Sequence, residues 1–140
     1  MVSESKAVRE ILFRGKENPS GKWVEGFYNH IPCGRFLCDE HLIQTIDTDG
    51  RIGQLFTVYD STVGQFTGLT DKNGKKIFEG DIVDILTENE EIGVVEYEDG
   101  GFLVSADGFC VDFHSNIYGT DLEVIGNIHD NPELLEGCDG

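Results

Sequence analysis

Past Lys76 the sequence has no lysine and no arginine. All ten basic residues lie at or before that position, alongside ten acidic residues between Met1 and Phe78. The other seventeen of the 27 Asp and Glu follow, so the whole net charge of −17 sits in the second half. A surface of that sign repels phosphate, which argues against direct nucleic-acid binding through it. Proline is also scarce, with three residues against 18 glycines, a balance that suits short strands joined by tight turns. No apolar run approaches the roughly 20 residues that cross a bilayer, so no membrane partner is expected. Met1 to Lys6 lacks the apolar stretch of a signal peptide. A cytoplasmic address with the four cysteines reduced is therefore the expectation.

What is present reads as β-structure. Apolar, β-branched and aromatic runs of four to seven residues recur at Ile11–Gly15, Trp23–Tyr28, His41–Ile46 and Leu55–Tyr59. They continue at Asp81–Leu86, Gly93–Tyr97, Phe109–Phe113 and Leu122–Ile128, with a shorter run at Phe102–Val104. Asn73-Gly74, between Thr67–Thr70 and Lys76–Phe78, predicts a type I′ turn, and Asp99-Gly100-Gly101 predicts another hairpin. No stretch of ten residues carries a 3.6-residue apolar period, and Asn131–Leu135 alone suggests a helical turn. The predicted fold is mainly β, a short-stranded barrel or sandwich with little helix and an SH3-like second half of roughly five strands. The chain reads as a single domain over 1–140, with subdomains at 1–66 and 67–131 and a tail at 132–140, of which Glu136–Gly140 is expected to fray.

Few constellations suggest chemistry. His30, Cys33, Cys38 and His41 could fill a tetrahedral zinc shell, but their order and gaps match no standard knuckle. Buried or singly exposed side chains account for them as well, so no metal and no cofactor are expected. Asp71-x-Asn73-Gly74 opens like a calcium loop and then fails, with Lys75 and Ile82 where ligands belong. Cys110 and His114 share a strand face about 13 Å apart, too far for a catalytic pair. Cys110 is better explained as a small buried hydrophobe. Arg14, Lys16 and Lys22 form a basic group read as solvated surface. The sequence also lacks a P-loop, a dinucleotide fingerprint and a His-Glu-x-x-His helix.

One run is distinctive. Thr62 to Val83, reading TVGQFTGLTDKNGKKIFEGDIV, resembles the signature of the YopX-like family, found in bacteriophages and prophages mainly of Gram-positive bacteria. Arg9–Lys16, Trp23–Tyr28, Val94–Tyr97 and Glu123–Ile128 extend the likeness in the same order over nearly the whole chain. The resemblance implies a mostly β fold, a phage or prophage origin and a host-cytoplasm address. It implies no enzymatic activity and no ligand that can be assigned to named residues. Within the signature loop, Gln65, Phe66, Asp71, Asn73, Glu79 and Asp81 are the candidate binding residues. The competing reading is structural: Gly64, Gly68, Gly74 and Gly80 serve turns, while Phe66, Leu69, Ile77 and Phe78 pack.

The expected function is a non-enzymatic binding or assembly module that self-associates as a homo-oligomer, motivated by Trp23, Phe27, Tyr28, Phe56 and Tyr59 and by the charge asymmetry. One alternative is an acidic decoy that mimics nucleic acid and occupies a basic host or phage DNA-binding protein. The other is a metal-dependent enzyme with carboxylate ligands.

Overall fold

The computed structural model of the protein describes residues 11–32, 39–86, 91–106, 109–113 and 121–136. Eleven strands, one 3-10 turn (Asp60–Thr62) and one α-helical turn lie among them. The first sheet holds β1 (Phe13–Lys16), β2 (Trp23–Ile31), β3 (Glu40–Ile46), β4 (Ile52–Thr57), β5 (Gly64–Thr70) and β6 (Lys76–Phe78). Their order across the sheet is β4-β3-β2-β1-β5-β6. The second holds β7 (Asp81–Ile85), β8 (Glu91–Glu98), β9 (Gly101–Ala106), β10 (Phe109–Asp112) and β11 (Leu122–Asn127), in the order β10-β9-β8-β7-β11. All pairings are antiparallel. A single turn, α1 (Glu133–Glu136), follows Pro132, where a proline's fixed φ favours helix entry.

The mainly β fold predicted from strand periodicity is what forms. The second half has five strands, arranged as an open sheet rather than a closed barrel. The change of sheet comes between Phe78 and Asp81, because β5 pairs back onto β1 and β6 pairs with β5.

The hairpin β5–β6 belongs to the first sheet by its hydrogen bonds and to the second by its packing. Ile77 is fully buried in one core with Val83, Ile85, Val95, Val104 and Leu122. Burying each such side chain contributes about 2 kcal/mol. Phe78, its neighbour, faces the other way and packs with Leu12 and Phe66. Alternation of side chains along a strand lets three residues serve both cores.

One turn expectation is corrected by the backbone and the other is met. A type I′ turn needs positive φ at both central residues, yet at Asn73-Gly74 only Gly74 has it, at 82°. The reason is Asp71. One of its carboxylate oxygens accepts the N–H groups of Asn73 and Lys75, each at 2.9 Å, and curls the chain as an Asx turn. The doubly positive pair occurs instead at Asp99 (54°) and Gly100 (83°), between Glu98 and its partner Gly101 on β8 and β9. Cys110 is exposed, not buried. Val111 and Phe113 pack toward the core, so the pleat turns Cys110 outward on an edge strand.

Candidate functional site

The signature residues sit where the two sheets meet. Asp81, at the start of β7, is 1% exposed. Its carboxylate accepts a hydrogen bond from Arg14 Nη2 at 2.7 Å and from the Phe78 N–H at 2.8 Å. Burial pushes the Asp81 carboxyl above the ordinary range, and the Arg14 guanidinium opposes that shift. The Arg14 guanidinium carbon lies over two rings, 4.6 Å from the Trp23 centroid and 4.8 Å from that of Phe78. Asp130 accepts from Trp23 Nε1 at 2.8 Å and pairs with Lys16. Those two donors, Lys16 first, hold the Asp130 carboxyl down at about 2. The basic group read as solvated surface is therefore largely committed: Arg14 and Lys16 clamp the second half of the chain to β1.

Asp71 is equally occupied. Besides the two turn amides it accepts the Val124 N–H at 2.9 Å, tying the β5–β6 hairpin to β11. Burial works against its charge, but the amides of Val124, Lys75 and Asn73 outweigh it and keep the carboxyl below the ordinary range. Phe66 packs against Phe78 at 5.5 Å between centroids. Asn73 is exposed in the turn. Glu79 accepts from the Gln65 N–H at 3.3 Å. Of the six candidate binding residues, Gln65 and Glu79 line open grooves. Gln65 borders one of about 670 Å³ with Leu69, Tyr97, Phe102 and Phe113. Glu79 borders one of about 340 Å³ with Gly80, Val95 and His129.

A second cluster lies at the far end of the first sheet. Cys33 and Cys38 of the proposed zinc set lie outside the described residues. His30 and His41 do come together, because antiparallel pairing sets them directly opposite on β2 and β3. Their rings stack at 4.3 Å and 7°. They continue the inward face of the sheet, where Tyr28 and the fully buried Ile43 are the preceding pair. The Tyr28 hydroxyl meets His41 Nδ1 at 2.5 Å. Burial, helped by the nearby Asp60 charge, raises the Tyr28 pKa, so the hydroxyl keeps its proton. Asp39, not singled out in the sequence, brings Oδ2 to 3.4 Å from His30 Nε2. Asp60 Oδ2 stands 3.7 Å from His41 Nε2. A groove of about 430 Å³ opens beside them, lined by Asp39, His41, Val58, Tyr59 and Asp60.

The YopX protein family model matches residues 12–136, which include both the sheet junction and the histidine cluster. The chain belongs to the YopX family. A SPbeta prophage-derived uncharacterized protein, YopX of Bacillus subtilis (strain 168), is 35% identical over 71 residues. That match takes in 46% of this chain and 53% of the relative, so the chain spans about half the length of the curated relative it matches. The crystal structure of protein EF1440 from Enterococcus faecalis is similar over 91% of this chain and 99% of that one, at 28% identity and a TM-score of 0.58. Among the described residues, no helix is long and apolar enough to cross a membrane.

Proposed function

We propose that this YopX-family chain is a non-enzymatic assembly module that pairs with a second copy of itself through the outer face of its first sheet. The observation that carries this reading is a group of apolar side chains directed at solvent on either side of Gln44. Phe27, Gln44 and Leu55 stand side by side across β2, β3 and β4, opposite in parity to Tyr28, Ile43 and Phe56 on the inward face. Phe27 is 49% exposed and Leu55 55%. Ile31 extends the group along β2, and the exposed Ile46–Ile52 pair stands farther along β3 and β4. Large apolar side chains gathered on a water-facing sheet mark an interaction surface.

Charge supports a second copy as the occupant. The first sheet belongs to the neutral stretch, whereas the −17 half would repel its own kind. β4 is also an edge strand, open to pairing. The non-enzymatic part rests on Asp71 and Asp81, whose carboxylates are engaged by backbone amides and by Arg14.

Phe27→Glu combined with Leu55→Glu tests the reading in sedimentation. Both side chains point to solvent, so the substituted chain keeps its circular dichroism and sediments as a monomer. An unchanged oligomer in that variant would refute the proposed face.

A further inference from the structure

We infer that His30, Asp39 and His41 form a binding site for a divalent transition ion of the zinc type. One ligand atom from each of the three lies within 4.8 Å of the others, a spacing that small rotations close onto a single ion. Two imidazoles and one carboxylate form a donor set suited to zinc and its neighbours. Calcium and magnesium are disfavoured, since they take oxygen donors.

Three features of the fold point the same way. Cross-strand pairing fixes the two rings in parallel at 4.3 Å, so neither must be recruited from a distance. Tyr28 engages His41 Nδ1, leaving Nε2 directed at the carboxylates. In the metal-bound form the ring donates its Nδ1–H to the Tyr28 oxygen. An outer partner of that kind orients a metal-ligating histidine. The adjoining groove leaves the fourth position open to water, to a further carboxylate such as Asp60 or to a small ligand.

The test is calorimetric titration of zinc into the metal-free chain of 140 residues, repeated on a chain in which Cys33, Cys38, Cys110 and Cys138 are all serine. The expected result is about one zinc per chain in both, because the site uses no thiol. His30→Gln and Asp39→Asn should each weaken binding at least tenfold. Tyr28→Phe should weaken it about tenfold, within the range for outer-shell partners. Circular dichroism that matches the parent excludes misfolding as the cause. Zinc should also shift the imidazole resonances of His30 and His41 and leave those of His129 in place. Zinc binding that vanishes in the cysteine-free chain, or that persists at full strength in His30→Gln, would overturn the assignment.

Discussion

Arg14 and Asp81, 67 residues apart, form a buried ion pair at 2.7 Å that joins β1 of one sheet to β7 of the other. The side chains are 11% and 2% exposed, so water screens the pair weakly. Removing one partner strands the other charge in a desolvated junction.

The first prediction follows from that pair. Asp81→Ala should cost about 3–5 kcal/mol in urea denaturation, the usual penalty for leaving a buried charge alone. Adding Arg14→Met to Asp81→Ala should cost little more, because the stranded guanidinium goes with it. Independent, fully additive losses would show that the two residues are not coupled.

Asp71 makes a different kind of junction. Its carboxylate holds three backbone N–H groups from two segments, and no other residue in the turn supplies an equivalent. Asp71→Ala should destabilise the chain by about 3 kcal/mol, since burying unpaired amides is costlier than losing an average hydrogen bond. Hydrogen exchange at Asn73, Lys75 and Val124 should accelerate together. Acceleration at the turn alone would mean that the link to β11 is not made through Asp71.

The Asp130 contacts give a pH dependence with a definite sign. The carboxyl falls from an ordinary value of 3.8 to about 2 in the folded chain, chiefly through Lys16 and then Trp23. A depressed carboxyl stabilises the fold above its unfolded value and loses that contribution as pH falls through the folded one. Asp130→Asn should therefore be less stable than the parent at neutral pH, and the gap should close between about pH 3.8 and pH 2. A gap constant across that window would contradict the assignment.

Gly26 shows where the first sheet has no room. A β-carbon there would stand 2.0 Å from the Gln44 carbonyl oxygen, a backbone atom that cannot swing aside. Gly26→Ala should cost about 2–3 kcal/mol by forcing β2 from β3. Thermal unfolding of the single variant is sufficient to measure it.

Much of this architecture was legible in the sequence and some was not, for physical reasons. Strands such as Trp23–Ile31 and Leu122–Asn127 show themselves because β-branched and aromatic residues recur between glycine and aspartate turns. The order of strands is not local information. Nothing near Phe13 says that β1 lies between β2 and β5, so the Arg14–Asp81 pair was hidden while both residues were in plain view. Asn73-Gly74 announced a turn correctly and its type wrongly, because the side chain of Asp71 overrode the local preference. The spacing of His30 and His41 is visible in the sequence, but nothing local marks Asp39 as their neighbour. Pairing Tyr28 with Ile43, the two most strand-like residues there, would have set the histidines opposite each other and brought that carboxylate alongside.

Self-association through the first sheet is tested most directly by light scattering of the unmodified chain after size exclusion, over a range of concentrations and at low and high salt. The account predicts a mass at least twice the 15.5 kDa of one chain, little changed by salt because the face is apolar. A mass of 15.5 kDa at every concentration and salt would contradict it.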